Sequence, residues 1–389
     1  MRIGYEYMLP GVQDTGVEVA IRELLGALAE QLGDDSIHVY ARTSKIPPLA
    51  GFRNVVVHKA FLAAMGRPCR ILWQQLAAPA AFRFARLSLY HATGYVVSPY
   101  HSIPTVLSIY DVIALDRPDL TRFANALHYG KILPQGARSA TRVIVPSAYV
   151  RERLTAVTGV PEAKVEVIPL GVSASFAVTH RDEVRRRLSR VPNLRGRRYL
   201  LAVGRLERKK NLSSLIAAFA RMLQKEPKDL ALVIVGGVGD DLPNLRRTIS
   251  EAGVEGRVLL AGRVSEETLV ALYNGAEAFV YPSWEEGFGL PPLEAMACGT
   301  PVLCSNAGAL PETVGNAALL FSPDSPLELA SKLSLVLAEP RRAAVLKAEG
   351  LKRASSFTWA ECARRVAQVY RAVIKESLGA CTLARERSH

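Results

Sequence analysis

The sequence predicts an α/β protein with two domains, each built on a doubly wound parallel sheet. Short, nearly continuous apolar segments alternate with helix-length segments, which is typical of strands buried on both faces and not of half-exposed antiparallel strands. The alternation begins at Arg2, stops after Ile168 and begins again at Tyr199. A length of 389 residues also fits two or three domains. We therefore expect two similar α/β units joined by a connector.

The first unit, residues 1–172, opens with a β-turn-α arrangement. A strand is predicted at residues 2–9, a turn at 10–15 and an amphipathic helix at 16–32. Later apolar runs predict strands at 37–40, 55–57, 87–91, 105–109, 142–145 and 165–168. Ligands of such sheets bind beyond the carboxyl ends of the strands, so the functional residues are expected in the loops that follow strands.

The second unit repeats the pattern and is placed at residues 199–356. Its strands are predicted at 199–203, 231–235, 258–260, 278–281 and 301–304, and its helices at 212–223, 266–275 and 292–298. An amphipathic helix at 357–376 follows, and its apolar side carries Trp359, Cys362, Val366, Val369 and Tyr370. We expect this helix to pack back on the first unit, and residues 377–389 to form a frayed tail.

Part of the formal net charge of +13 lies in residues 173–198, which we interpret as a basic linker. Between Arg181 and Arg198, eight arginines accompany only Asp182 and Glu183. Such a charge run forms a solvated surface, or it contacts nucleic acid or an anionic membrane. No aromatic residue is interleaved for stacking on bases, so we expect no nucleic-acid partner.

The cysteines and the amino terminus indicate the compartment. Five cysteines, an odd number without a CxxC pair, are typical of a reducing environment. Glu6 stands where a secretory signal would need an apolar run, and no uninterrupted apolar stretch reaches the ~18 residues of a membrane span. We therefore expect a cytoplasmic chain.

The most informative stretch is residues 281–301, which follows a strand and opens a helix. Gly287 and Gly289 leave backbone amides accessible before that helix, and amides at a helix N-terminus attract anions such as phosphate. Glu286 lies in the loop and Glu294 in the first helical turn. Carboxylates accept hydrogen bonds from hydroxyls, so the stretch suits a ligand that combines phosphate with a sugar. The structural alternative is an exposed Glu286 and a Glu294 that only complements the helix dipole.

A second stretch, residues 204–211, also lies between a predicted strand and a predicted helix. Arg205 and Lys210 are able to meet a diphosphate from two directions, the arginine bidentately and the lysine as a point charge. Such neutralisation is what a nucleotide leaving group requires as charge develops on it. A solvated basic turn is the alternative, but the position after a strand favours a ligand site.

Together the two stretches resemble the retaining glycosyltransferases of family 4, which have the GT-B fold. The resemblance rests on Gly-Arg-Leu-x-x-x-Lys-Asn at 204–211 and on Glu286 and Glu294, separated by seven residues. It continues in order through a glycine loop at 11–16, Arg-Val-Ile-Val-Pro-Ser at 142–147, Val-Ile-Pro-Leu-Gly at 167–171 and Pro-Glu at 311–312. It implies two Rossmann-like domains facing across an interdomain cleft, the first binding the acceptor and the second the nucleotide-sugar.

The resemblance also implies roles for individual residues. Arg205 and Lys210 hold the diphosphate of the sugar donor, the catalytic candidate Glu286 lies beside the sugar, and Glu294 binds the ribose. Arg263 and Val264 line the base, and Gly16 lets the pyrophosphate and the acceptor approach. The backbone amides that contact sugar hydroxyls or phosphate belong to Gly287, Phe288, Gly289 and Leu290.

One position departs from the family pattern. Many relatives have His-Asp after an N-domain strand where this chain has Tyr110 and Asp111. A tyrosine donates a hydrogen bond but is not a base near neutral pH. Asp111 remains a catalytic candidate on the acceptor side, with a structural turn as its alternative role.

The resemblance implies a front-face mechanism without a metal cofactor, and Glu286 as a nucleophile is the second possibility. No DxD-type metal motif at a strand end and no HExxH is present. Residues 286–302 and 310–318 are similar to bacterial mannosyltransferases of O-antigen and exopolysaccharide assembly, which implies GDP-mannose as sugar donor. UDP-glucose and UDP-N-acetylglucosamine are the alternatives.

The expected acceptor is a saccharide or a lipid-linked saccharide at the inner membrane. Residues 61–84 have a basic amphipathic composition, which indicates either peripheral contact with anionic lipid or an ordinary buried helix. Two other classes are weighed against an enzyme of this family. One is a basic binding protein without activity. The other is a dinucleotide-dependent oxidoreductase, based on the glycines at 236, 237 and 239, whose fingerprint is incomplete because position 242 is leucine.

Overall fold

The computed structural model describes residues 1–8, 15–42, 51–60, 69, 72–97, 103–121, 123–189, 191, 194, 196–224 and 229–386. Most of the glycine loop at 11–16 and part of the basic segment at 61–84 lie outside these residues. The chain divides into two compact units. The first unit joins Met1–Gly171 to Trp359–His389, and the second is Val172–Thr358.

In the first unit, seven described strands form one parallel sheet in the order β3-β2-β1-β4-β5-β6-β7. Ile3 of the central strand pairs with Ile37 on one side and with Leu89 on the other. The strands are β1 Arg2–Tyr7, β2 Ser36–Ala41, β3 Val55–Lys59, β4 Leu89–Ala92, β5 Thr105–Ser108, β6 Arg142–Val145 and β7 Val165–Val167. All seven were predicted, with ends within about two residues.

Among the described residues, helices lie in the connections from β1 to β2, β3 to β4, β5 to β6 and β6 to β7, as is usual for parallel strands. They are α1 Gly16–Leu32, α2 Ala78–Phe84, α3 Ile113–Asp116, α4 Phe123–Ser139 and α5 Ala148–Thr158. A π-helical turn, Trp73–Ala77, leads into α2. α1 has the predicted bounds and begins with a capping box, because the Glu18 amide donates to Thr15 Oγ1 at 3.3 Å and the Thr15 amide donates to Glu18 Oε2 at 2.6 Å.

In the second unit, six described strands form a second parallel sheet in the order β10-β9-β8-β11-β12-β13. They are β8 Arg198–Val203, β9 Leu230–Val235, β10 Val258–Gly262, β11 Ala278–Tyr281, β12 Val302–Ser305 and β13 Ala318–Phe321. β13 was not predicted, because its residues, Ala-Leu-Leu-Phe, include strong helix formers and no β-branched residue.

The second unit contains eight described α-helices. They are α6 Arg181–Leu188, α7 Leu212–Leu223, α8 Leu242–Glu251, α9 Glu266–Gly275, α10 Leu290–Ala297, α11 Leu310–Val314, α12 Pro326–Ala338 and α13 Pro340–Ala354. The arginine-rich α6, which the sequence analysis assigns to a linker, packs on α9 and belongs to the second unit. Val184 and Leu188 form the apolar side of this contact, at Gly275.

The last described helix, α14 Trp359–Glu386, packs on α1 of the first unit. Its Tyr370 hydroxyl shares a 2.6 Å hydrogen bond with Nδ1 of the buried His91, whose Nε2 lies 2.8 Å from Ser108 Oγ. Burial lowers the pKa of His91 to about 3, so this histidine stays neutral and has a structural role. The predicted end at 376 is wrong, because residues 377–386 contain no proline and several strong helix formers.

No helix among the described residues combines the length and the apolar character needed to cross a membrane. Because every strand pairing of the second sheet is parallel, the loops that follow its strands leave from the same edge. This edge carries the second unit's candidate site.

Candidate active site

Two predicted site residues, 76 positions apart, meet directly at this edge. Lys210 Nζ lies 2.6 Å from Glu286 Oε1, and the two side chains are only 13% and 12% exposed. The same ammonium donates to the Tyr281 hydroxyl at 2.6 Å, and that hydroxyl donates to Glu286 Oε1 at 3.0 Å. The loop after β8 and the loop after β11 are brought together because β8 and β11 are neighbouring strands.

The ion pair fixes the charge of Glu286. Burial acts to raise the pKa of this carboxyl, but the ammonium groups of Lys210 and Lys209 outweigh burial and hold the pKa below its ordinary value. Glu286 is therefore an ionised carboxylate at neutral pH, a form suited to accept hydrogen bonds from hydroxyl groups.

The loop after β12 holds the backbone of Glu286. The Ala309 amide donates to the Glu286 carbonyl at 2.9 Å, and Thr313 Oγ1 donates to the Phe288 carbonyl at 2.6 Å. Gly308 has φ +59, and a Cβ at this position would lie 2.6 Å from the Glu286 carbonyl oxygen. Sequence reasoning missed Gly308 and Thr313, although both lie near the Pro-Glu segment that contributes to the resemblance.

Asn211 joins three loops at the same edge. Its backbone is left-handed, with φ +52, and its buried Nδ2 donates to the carbonyls of Pro282 and Pro323 at 3.1 and 2.8 Å. The Trp284 amide adds a 2.9 Å hydrogen bond to the Lys209 carbonyl. These contacts fix the loop that carries Lys210 to the loop that carries Glu286.

The two predicted arginines lie over the loop that follows β9. Arg205 Nε donates to the Val238 carbonyl at 3.2 Å and lies 3.4 Å from Glu207 Oε1. Arg263, followed by the partly buried Val264, approaches Gly237 so closely that a Cβ there would lie 2.8 Å from Arg263 Nε. The structure thus places cationic side chains after β8 and β10 on both sides of this loop.

The glycine cluster after β9 has a packing function. A Cβ at Gly236 would lie 1.9 Å from the Gly204 carbonyl oxygen, and one at Gly239 would lie 2.1 Å from the Leu206 carbonyl oxygen. The Leu206 amide donates to the Gly237 carbonyl at 3.0 Å. The glycines let two loop backbones pack against each other, which explains the pattern without a dinucleotide fingerprint.

The helix after Glu286 begins at Leu290, two residues earlier than predicted. Proline is tolerated in a first turn because amides there have no intrahelical acceptor. Pro291 and Pro292 carry no N–H, so Gly289, with φ +103, and Leu290 supply the amides at this helix N-terminus. Gly287 and Phe288, before them, are also buried, and Phe288 packs edge-to-face on Phe357 with ring centroids 5.8 Å apart.

Glu294 lies in the second turn of α10, not in the first, because the helix begins earlier. Its Oε2 accepts a 2.9 Å hydrogen bond from the buried hydroxyl of Tyr273 on α9. Burial raises the pKa of Glu294 to about 7, and the nearby Glu266 carboxylate acts in the same direction. Glu294 is therefore associated with α9, the helix that follows Arg263 and Val264.

This raised pKa gives a pH-dependent stability. Stability from the protonated Glu294 is fully present below about pH 4.5 and is lost as pH rises through about 7. Glu294→Gln keeps an acceptor for Tyr273 and has no charge. We expect the variant to exceed the wild type in unfolding free energy by up to about 3 kcal/mol at pH 8 and to match it near pH 4.5. Urea unfolding at both pH values measures this, and an equal difference at both would contradict it.

The predicted residues of the first unit lie at the carboxyl edge of its own sheet. Gly16 is the exposed first residue of α1, and a Cβ there would meet no atom within 4 Å. Asp111 Oδ1 accepts a 3.2 Å hydrogen bond from the Ile113 amide, the geometry of its alternative turn role. Tyr110 is buried against Tyr95, with ring centroids 6.1 Å apart, and burial raises its pKa further above its ordinary value.

Both halves of the chain match family models. Residues 15–176 match Glycosyltransferase Family 4 and residues 184–353 match Glycosyl transferases group 1. The O-antigen chain mannosyltransferase B of Escherichia coli is 28% identical over 283 residues, 73% of this chain and 74% of that protein. The MMP alpha-(1->4)-mannosyltransferase of Mycolicibacterium hassiacum is 34% identical over 235 residues, 59% of this chain and 53% of that protein.

Solved structures share the fold. Sucrose-phosphate synthase from Thermosynechococcus elongatus superposes with a TM-score of 0.79 at 23% identity, over 97% of this chain and 100% of that one. Anabaena Alr3699/HepE in complex with UDP and glucose gives 0.76 at 18% identity, over 96% and 100%. The two parallel-sheet units thus define a protein of the GT-B class. The chain belongs to glycosyltransferase family 4 and is a hexosyltransferase.

Proposed function

We propose that the enzyme transfers mannose from GDP-mannose to a saccharide or lipid-linked saccharide, with retention of anomeric configuration and without a metal ion. The contact between Lys210 and Glu286 carries this proposal, because it places a cation for phosphate and a carboxylate for sugar hydroxyls side by side. Arg205, in the same loop as Lys210, adds a second cation for the diphosphate.

The chemistry follows from this arrangement. The acceptor hydroxyl oxygen attacks the anomeric carbon from the face that the nucleotide leaves. The bond between that carbon and the phosphate oxygen breaks, and the departing phosphate takes the proton of the hydroxyl. Negative charge grows on the diphosphate, where Lys210, Arg205 and the amides of Gly289 and Leu290 stabilise it. Glu286 orients the sugar, and its role as a covalent nucleophile is the alternative mechanism.

The nucleoside is assigned to α9 and α10. In this proposal Glu294 accepts hydrogen bonds from the ribose hydroxyls, and Arg263 and Val264 lie beside the base. The nearby Glu266 supports this, because Glu266 acts on Glu294 and is the first residue of α9, directly after the segment that contains Arg263 and Val264. Among the described residues, no group of three or more His, Cys, Asp or Glu side chains is arranged to hold a metal ion.

The mannosyltransferases among the relatives support mannose as the sugar. UDP-glucose and UDP-N-acetylglucosamine stay as alternative donors, because the diphosphate and the ribose, to which Lys210, Arg205 and Glu294 are assigned, are the same in all three donors. A screen of sugar donors with the purified protein distinguishes these alternatives. Release of nucleoside diphosphate is measured with GDP-mannose and with UDP-sugars, with and without EDTA. Turnover with GDP-mannose in EDTA is expected, and a requirement for added metal would contradict the metal-free mechanism.

The stereochemical outcome is tested separately. Proton NMR of the product is expected to show the anomeric configuration of the sugar donor, because the anomeric centre does not equilibrate once it is in a glycosidic bond. Inversion would contradict the retaining mechanism. A basic binding protein without activity would bind sugar donors without turnover.

Peripheral contact with anionic lipid is part of the proposal for the acceptor. Residues 36–110 contain eight Lys or Arg and no Asp or Glu. Phe84, at the end of α2, is 94% exposed beside the exposed Arg83 and Arg86. Such a combination favours the interface of an acidic membrane.

We expect the protein to co-sediment with vesicles containing phosphatidylglycerol and not with vesicles of pure phosphatidylcholine. Phe84→Ser should weaken this co-sedimentation several-fold, with Val345→Ser, also exposed, as control; equal binding by both variants would contradict this assignment.

A further inference from the structure

The Tyr281 hydroxyl contacts both charged groups of the site, and the proposed function gives it no role. Tyr281 is the last residue of β11 and is 2% exposed. Its hydroxyl oxygen lies 2.6 Å from Lys210 Nζ and 3.0 Å from Glu286 Oε1. A buried tyrosine at a strand end is usually a core residue. The hydroxyl group of Tyr281, however, contacts both members of the ion pair.

The direction of each hydrogen bond is fixed by chemistry. An ammonium group only donates, so the Tyr281 oxygen accepts from Lys210. An ionised carboxylate only accepts, so the single hydroxyl hydrogen of Tyr281 points to Glu286. The same carboxylate oxygen, Oε1, receives Lys210 at 2.6 Å. Glu286 Oε1 therefore accepts from a charged donor, Lys210, and from a neutral donor, Tyr281.

The two donors respond differently to a bound diphosphate. Lys210 is on a flexible side chain and is attracted by the new negative charge, so its interaction with Glu286 weakens. Tyr281 lies on a strand, where Tyr281 pairs with Cys304 of β12, and its ring stacks on Phe279 with centroids 5.9 Å apart. Its hydroxyl stays in place when the lysine turns to phosphate, because groups on strands are held more rigidly than groups on loops.

We propose that Tyr281 is a positioning residue that holds Glu286 ionised and correctly oriented while Lys210 is engaged by the sugar donor's diphosphate. This inference rests on the proposed function, since it assigns Lys210 to the diphosphate and Glu286 to the sugar. Tyr281 itself touches Glu286 and Lys210, and it acts through them.

Tyr281→Phe removes the hydroxyl and keeps the ring. We expect kcat to fall about tenfold while KM for the sugar donor changes less than about twofold. The acidic limb of the pH profile of kcat/KM should move to higher pH by about half a unit or more, because the carboxylate has lost a donor that favours its ionised form. A purely structural tyrosine would lower the amount of active enzyme and leave the pH profile in place.

Tyr199→Phe is the matched control. Its buried hydroxyl donates to the Leu272 carbonyl at 2.8 Å, in the same unit and away from Glu286. This variant also loses one buried hydroxyl, and its acidic limb should coincide with that of the wild type. A shift in Tyr281→Phe alone supports the proposal. Coincident profiles for the wild type and Tyr281→Phe, or equal shifts in both variants, overturn it.

A second measurement needs no turnover. The destabilisation caused by Tyr281→Phe should shrink as pH is lowered, because Glu286 becomes protonated and the lost hydrogen bond matters less. In a Glu286→Gln background this pH dependence should disappear. A pH-independent loss of stability overturns the proposal for Tyr281. Absence of turnover by the wild type with every sugar donor refutes the proposed function instead, so the two failures are distinguishable.

Discussion

Lys210→Met is expected to lower kcat/KM about 10³-fold and to reduce the unfolding free energy by about 3–5 kcal/mol. The activity should fall because the diphosphate loses a cation that the proposed function assigns to it. The stability falls because Glu286 becomes a carboxylate that is 12% exposed, with its cation removed. Turnover of the preferred sugar donor and urea unfolding at pH 7 measure the two effects.

A double variant separates these effects. Lys210→Met combined with Glu286→Gln has no charge in the pair, so most of the lost stability should return while activity stays absent. Arg198→Met is the control, because its 3.0 Å pair with Glu277 is 42% and 35% exposed and should be worth less than about 1 kcal/mol. A double variant as unstable as Lys210→Met would show that the buried charge is not the cause.

Gly236→Ala is expected to lower the unfolding free energy by more than about 3 kcal/mol and to abolish binding of the sugar donor. The new Cβ would lie 1.9 Å from the Gly204 carbonyl oxygen and 2.6 Å from its carbon, so the backbone of one loop has to move. The displaced loop carries Arg205 and Lys210. Thermal unfolding measures the first effect, and calorimetric titration with the nucleoside diphosphate measures the second.

Gly256→Ala provides the comparison. A Cβ at Gly256 meets no atom within 4 Å, so the substitution should leave both stability and binding within experimental error of the wild type. Equal affinity of Gly236→Ala and Gly256→Ala for nucleoside diphosphate would contradict this prediction. It would show that Arg205 and Lys210 do not depend on the packing between the loops after β8 and β9.

Two residues of the candidate site could be located from the sequence, because their residue type and their position after a strand both indicate a ligand site. Lys210 and Glu286 each follow an apolar strand, and the rule that ligands lie at the carboxyl ends of strands predicts the sheet edge at which the structure has both. Their 2.6 Å contact depends on β8 and β11 being neighbours, which the sequence order of strands does not specify. Tyr281 was missed because an aromatic residue that ends a strand has the pattern of a core residue.

Helix boundaries show where local patterns are insufficient. Pro291 and Pro292 predict a later start for α10 than Leu290, because proline favours the first helical position, but the first turn also tolerates proline after a leucine. The small residues after Glu376 predict a tail, but α14 continues to Glu386. At Gly236 and Gly308, the backbone that leaves no room for a Cβ belongs to another loop. The spacing of glycines in the sequence therefore could not show why glycine is needed at these two positions.

The first unit is assembled from two segments of the chain that lie on either side of the second unit in sequence, because α14 packs on α1. A ribosome therefore makes the whole second unit, Val172–Thr358, before it makes the helix that completes the first. Domains usually mature in the order of translation, and here the order of completion is reversed. The part of α1 that contacts α14 stays uncovered until residues 359–386 have been synthesised.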